Sequence, residues 1–210
     1  MDRIFAIGDI HGCFNKLCAL MEKLDVDKDQ DCLIFLGDYI DRGPQSLEVV
    51  DYLIGLPQDG YRTVFLKGNH EIMFENYLSG RDDFNFLTNG GLETTNRYMQ
   101  NTDFQRLVIP PSHTSFFQAL RLYHETDSYI FVHAGLAPGV PLDKQQEKDL
   151  LWIREPFIRS DYSFGKKVIF GHTPFKQPLI TENKIGIDTG AVYGNTLTCV
   201  ELPAEKFCSV

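Results

Sequence analysis

Five short polar clusters carry the residue types that can do chemistry. They are Gly8-Asp9-Ile10-His11-Gly12, Gly37-Asp38-Tyr39-Ile40-Asp41-Arg42-Gly43, Gly68-Asn69-His70-Glu71, His133-Ala134-Gly135 and Gly171-His172-Thr173. Four of the six histidines of the 210-residue chain fall within them. Any one cluster alone reads equally well as a turn or a helix cap. Together they gather imidazoles, carboxylates and one amide, and buried groups of this kind require partners. A donor set without thiolate suits borderline to hard divalent ions, manganese, iron or zinc, and disfavours thiophilic ones. Two-metal sites that act on phosphoryl groups hold their ions ~3.5–4 Å apart, so a carboxylate or a water must touch both. Asp38 is the candidate bridge, standing in sequence between the Asp9/His11 pair and the later Asn69, His133 and His172. Asp9 and His11 are two residues apart, so in an extended segment both side chains reach the same side. The expected division is Asp9, His11 and Asp38 around one ion, and Asp38, Asn69, His133 and His172 around the other.

A chain with GDIHG at 8–12, GDYIDRG at 37–43, GNHE at 68–71, HAG at 133–135, GHT at 171–173 and the tail IDTGAVYGNTLT at 187–198 resembles the metallophosphoesterases. Within them it is most similar to the short bacterial and phage-type serine/threonine phosphatases of the phosphoprotein phosphatase family. The resemblance runs in family order from Arg3 to about Leu202. It implies an α/β fold, a two-sheet β-sandwich flanked by helices, with a pair of divalent ions, manganese foremost, and phosphomonoester hydrolysis. The six ligands it carries over are those named above.

Water held between two dications is deprotonated near neutral pH, so no serine or cysteine nucleophile is required. Arginines aimed at the transferred phosphoryl group stabilise its charge. Arg42 fits this, as does Arg154, where the resemblance implies a second phosphate-binding arginine; Asn69 is counted with them. The alternative for Arg154 is an ion pair with Glu155. His70 directly follows Asn69, so its side chain departs in another direction while staying close, as a general acid must. The resemblance implies Asp41 as its carboxylate partner; the alternative is that Asp41 caps a helix near Gln45. Gly190 and Tyr193 are expected to shape the C-terminal loop beside the site. His113 and His124 lack motif context and receive no role.

The elements that must position these groups are strands. Apolar runs at Arg3–Gly8, Cys32–Gly37, Thr63–Gly68, Tyr129–His133 and Lys167–Gly171 each end on a glycine or histidine in a polar loop, where open α/β sheets present ligands. Phe14, Leu17, Cys18, Met21 and Leu24 mark a helix by their spacing, and a second follows Pro44 from about Gln45 to Gly55. Residues 76–125 read as a helical insertion within one catalytic domain spanning 1–210, and as the part expected to select substrates. Leu179–Thr181, Lys184–Asp188 and Thr196–Glu201 read as closing strands.

Hydrophobic residues at 43% and charged residues at 23% fit an ordinary globular chain. Twenty basic against 29 acidic residues give a net charge of −9 with no basic cluster, which disfavours nucleic acid as partner. No apolar stretch is long enough for a membrane helix. The start lacks a secretory pattern, and five cysteines without CxxC spacing suit a reducing compartment. The expectation is a cytoplasmic monomer, its chain beginning at Met1, acting on a phosphoprotein or small phosphoester.

Three functions are in play. A serine/threonine phosphatase, with phosphotyrosine as a further substrate, is favoured over a bis(5'-nucleosyl)-tetraphosphatase because symmetric diadenosine tetraphosphate hydrolases typically show alanine where Asp41 stands. An inactive interaction scaffold has no need of the full ligand set or of the His70 and Asp41 pair.

Overall fold

Side chains alternate along a set of four-residue strands, and that alternation builds the frame. The computed structural model describes residues 3–100 and 107–210. In chain order these form β1 (Ile4–Ile7), α1 (Phe14–Lys23), β2 (Cys32–Phe35), α2 (Ser46–Gln58), β3 (Arg62–Phe65), α3 (Asn69–Leu78), α4 (Asp83–Phe86), α5 (Leu92–Gln100) and α6 (Pro111–Ala119). They continue as β4 (Tyr123–Glu125), β5 (Tyr129–Val132), α7 (Glu147–Trp152), α8 (Glu155–Ile158), β6 (Lys167–Phe170), β7 (Leu179–Ile180), β8 (Lys184–Gly186), β9 (Thr198–Leu202) and β10 (Lys206–Ser209).

Two mixed sheets result, ordered β10-β9-β1-β2-β3 and β4-β5-β6-β8-β7. Strands β1, β2 and β3 run parallel, as do β5, β6 and β8, while β9, β10, β4 and β7 pair antiparallel at the sides. Period-two patterning sorts the side chains into three apolar layers. Phe5, Ile7, Leu33 and Phe35 pack on Leu17 and Leu20 of α1, Val50 and Leu53 of α2 and Phe74 of α3. Their neighbours Ala6, Ile34 and Leu36 turn the other way and meet Phe131, Ile169 and Ile185 between the sheets. Ile130, Val132, Val168 and Phe170 face outward again, onto Leu150 of α7 and Phe157 of α8. The expected two-sheet sandwich flanked by helices is therefore the observed fold. Among the described residues no helix is long and apolar enough to cross a membrane.

Local differences have physical causes. The second helix starts at Ser46 and runs past Gly55 to Gln58, with Pro57 in its last turn. The stretch 76–125 is not helical throughout: its first residues finish α3, its last three form β4, and residues 101–106 lie outside the described residues. Strand β4 was hidden because Tyr-His-Glu carries no apolar alternation of its own; pairing with β5 makes it a strand. The final strand β10 carries no such signal either, being an edge defined by its register on β9.

Candidate active site

Because β1, β2 and β3 are parallel in one sheet and β5, β6 and β8 in the other, each releases its polar cluster from its C-terminal end. The loops that follow are tightly folded against each other. Six described non-glycine residues have positive φ, and five of them are His11, Asp38, Asp41, Arg42 and His172, at φ values of 46°, 52°, 72°, 69° and 63°. Left-handed backbone is costly for residues with a Cβ and persists where the surroundings over-determine it, which is common at functional sites. Two glycines admit side chains closely: a Cβ on Gly171 would land on Asp9 Oδ1, and one on Gly68 would land on Asp38 Oδ1.

Asp38 sits at the centre. Its Oδ2 lies 3.4 Å from His11 Nε2 and its Oδ1 lies 3.5 Å from His133 Nε2. Two sets of donor atoms fall within 4.8 Å of one another, His11-Asp38-His70 and Asp38-His133-His172, and Asp38 is common to both. Asp9 belongs to neither set; its two oxygens instead accept the His172 N–H at 3.1 and 3.0 Å. Asn69 Oδ1 is 2.9 Å from His133 Nε2.

The arrangement of protons shows whether cations fit. His11 Nδ1 donates to the Ile40 carbonyl and His133 Nδ1 to that of Leu36, both at 2.8 Å, so each neutral ring turns an Nε2 lone pair inward. Burial keeps these imidazoles neutral, with His11 pushed down to about 3 and His172 to about 2. His133 is lowered as well, again chiefly by burial. At His133 the inward lone pair faces the carbonyl oxygen of Asn69, an acceptor against an acceptor. Buried His172 Nε2 has no hydrogen-bond partner among the described residues. Inward-facing lone pairs around a carboxylate, with the orphaned nitrogens of His172 and His70, are the pattern that divalent cations satisfy.

Arg42 Nη1 donates to His11 Nε2 at 2.6 Å, so a positive charge already meets that lone pair, and the guanidinium carbon stands 5.7 Å from the Tyr193 ring centroid. Arg154 is turned toward the Gly171-His172-Thr173 loop, with Nη1 3.5 Å from Thr173 Oγ1. The ion pair with Glu155 is not formed; Glu155 bonds Arg159 instead. Asp41 does not cap α2, whose N-terminus has no side-chain cap. Its Oδ2 lies 2.6 Å from His70 Nδ1, with both side chains buried. Burial works against a charged His70, but Asp38 and the hydrogen bond to Asp41 prevail and raise its pKa. Burial raises Asp41 too. His70 Nε2, like that of His172, is buried without a hydrogen-bond partner among the described residues.

Three residues of this site were not singled out from sequence. Glu71 accepts N–H groups from Asp38, Tyr39 and Gly68 at 2.9, 2.8 and 2.9 Å. Its place in the third cluster was the available signal. Asp188 follows β8, is buried, accepts the Gly190 N–H at 2.9 Å and, chiefly through burial, has its carboxyl pushed up to about 6. The IDTG run was its signal. Thr94 reaches Asp41 from α5, and nothing local in the sequence marks it. His113 bridges Tyr98 and Asp51, away from the clusters.

The profile of the calcineurin-like phosphoesterases matches residues 2–197. The chain is 32% identical to a bis(5'-nucleosyl)-tetraphosphatase PrpE, of the asymmetrical kind, from Anoxybacillus flavithermus, covering 97% of this chain and 92% of that protein. A counterpart of the same name from a Geobacillus species is 31% identical, over 99% and 94%. In fold, the chain resembles a crystal structure provisionally assigned as a diadenosine tetraphosphatase, with a TM-score of 0.79 at 23% identity over 100% of this chain and 93% of that one. It also resembles a protein serine/threonine phosphatase from Saccharomyces cerevisiae, with a TM-score of 0.66 at 18% identity over 100% and 79%. Sequence match, fold and the converging donors agree, and the chain belongs to the calcineurin-like phosphoesterases, a metallophosphoesterase hydrolase.

Proposed function

We propose that the protein hydrolyses dinucleoside tetraphosphates, cutting them asymmetrically, at a centre that holds two divalent cations. The observation that carries this reading is the match, over nearly the whole chain, to proteins named as asymmetrical bis(5'-nucleosyl)-tetraphosphatases. The geometry supports it. Each phosphate-binding arginine has an exposed aromatic neighbour: Tyr193, 63% exposed, beside Arg42, and Trp152, 42% exposed, two residues before Arg154 and edge-on to His172. Arginine for phosphate with an open aromatic face for a base is a nucleotide-binding combination. Asp41 does not count against this, because it separates the chain from symmetric hydrolases and the matched relatives are asymmetrical.

Bound there, the ions supply Lewis acidity and a water deprotonated near neutral pH. Asp9, His11, Asp38, Asn69, His133 and His172 would hold them; manganese is the first choice, with iron and zinc the alternatives that the same donors accept. Arg42 and Arg154 neutralise the non-bridging oxygens of the phosphoryl group under attack. His70, held by Asp41 at Nδ1, offers a proton from Nε2 to the departing oxygen.

That last feature favours a second reading, a protein serine/threonine phosphatase. A serine or threonine alkoxide leaves poorly without a proton, whereas a nucleotide phosphate, with a second pKa near ~6, needs little help. Both readings are tested by one matrix of manganese, iron and zinc against diadenosine tetraphosphate, phosphoserine, phosphothreonine and phosphotyrosine peptides, and an aryl phosphate. The expected result is fastest release of ATP and AMP from the dinucleotide. Faster phosphate release from peptides would replace the first reading by the second, and two ADP would contradict asymmetric cleavage.

A further inference from the structure

We infer that Thr94, on the inserted helix α5, is a positioning residue that aims the Asp41-His70 pair. Its hydroxyl proton goes to Asp41 Oδ1 at 2.6 Å. Its oxygen accepts the Asp41 N–H at 2.9 Å and lies 3.0 Å from Ser46 Oγ, which stands 3.1 Å from the same N–H. A hydroxyl has one proton and two lone pairs, so all three capacities of Thr94 are taken, two of them by Asp41. Asp41 needs this hold. It has left-handed backbone at φ 72°, and its other oxygen, Oδ2, is the one that meets His70 Nδ1. With Oδ1 fixed by Thr94, the carboxylate cannot turn away from the imidazole, and His70 Nδ1–H stays on Asp41 while Nε2, which bears the second proton of the charged ring, faces the site.

The insertion is anchored for this task. Gly90 accepts the Arg42 N–H at 3.1 Å, and a Cβ at Gly90 would press on Arg42 N at 2.9 Å. Arg97 donates to Glu48 of α2 from Nε at 2.9 Å. Tyr98 Oη and Asp51 both bond the His113 ring, at 2.7 and 2.8 Å. Helix α5 is thus tied to α2 and to the loop bearing Asp41 and Arg42, which gives the insertion a part in proton delivery beyond substrate selection.

The inference rests on His70 acting as proton donor, so the experiment separates the two claims. Manganese-loaded wild type, Thr94→Val, Thr94→Ser and His70→Asn are compared on aryl phosphates from p-nitrophenyl to unsubstituted phenyl, with metal content measured for each. In metal-free protein, the downfield proton resonance of His70 Nδ1–H is followed by NMR. We expect Thr94→Val to keep its metals, shift or broaden that resonance, and lose about tenfold to a hundredfold in kcat on the phenyl ester, the scale of one hydrogen bond to a charged group. On p-nitrophenyl phosphate it should lose little, and Thr94→Ser should restore both readouts. Equal loss on every ester, or an unmoved resonance, overturns the role of Thr94. A flat dependence on leaving group in His70→Asn instead overturns the proton-donor reading. Should Thr94→Val fail to fold, Thr94→Ala deletes the same hydroxyl and carries the same comparison.

Discussion

Glu71 Oε2 accepts the Asp38 backbone N–H at 2.9 Å, and through this bond the third cluster holds the second in place. The same carboxylate takes the N–H groups of Tyr39 and Gly68, so one buried side chain satisfies three donors in two loops that strained backbone would otherwise open. Glu71 belongs to a site motif yet acts as a splint for Asp38.

Glu71→Gln places an amide NH₂ where N–H groups must be accepted. Leaving buried donors unpaired costs about 1–3 kcal/mol each. The expected outcome is a destabilisation of about 2 kcal/mol or more by denaturant unfolding, together with weaker metal binding. An unchanged midpoint and full metal content would show that these loops hold themselves.

Asp38 is common to both donor sets, whereas His70 belongs to one of them and has its Nδ1 taken by Asp41. Asp38→Asn is therefore expected to lose metal as well as turnover, and His70→Asn to lose turnover while keeping its metal. Elemental analysis of the two purified variants checks this; equal metal loss in both would refute the separation of roles.

If Tyr193 and Trp152 stack on bases, removing either ring should weaken nucleotide binding alone. Stacking on an aromatic side chain is worth about 1–3 kcal/mol per base, so Tyr193→Ala and Trp152→Ala should each raise KM for diadenosine tetraphosphate about tenfold. The KM for an aryl phosphate should hardly move. Parallel rises on both substrates would point to a disturbed metal centre instead.

Away from the site, Arg3 binds Asp31 at 2.7 Å through Nη2, and Asp31 also accepts the Asp27 N–H at 2.8 Å. Burial alone would raise the Asp31 carboxyl, but the Arg3 hydrogen bond and the backbone N–H groups outweigh it and the pKa lies below its ordinary value. A depressed folded-state pKa contributes stability above the unfolded value of about 3.9, and that stability is lost as pH falls through the lower folded value. Wild type should therefore be more stable than Asp31→Asn at neutral pH, with the difference shrinking below about pH 4. A difference that stays constant down to acid unfolding would rule out this linkage.

The strands and their polar ends were legible because their code is local: an apolar run, then a glycine and a short polar cluster. The ligand types stand in those clusters; the His70-Asp41 pair and the two-sheet sandwich followed only from the resemblance to the metallophosphoesterases. Strands β4 and β10 were not legible, since their sequences carry no alternation and only a neighbour makes them strands. Asp188 and Glu71 stood inside visible motifs, but burial and the donors around them assign their work.

By itself, then, the sequence determined which chemical groups are available and that they sit at strand ends, because side-chain type and period-two patterning are properties of neighbours along the chain. Tertiary structure decided that Asp38 stands between both sets of imidazoles, that Arg154 turns to Thr173 and not to Glu155, and that Thr94 holds Asp41 from 53 residues away. Those are distances across loops and between sheets. They depend on how packed layers meet, and no local pattern records them.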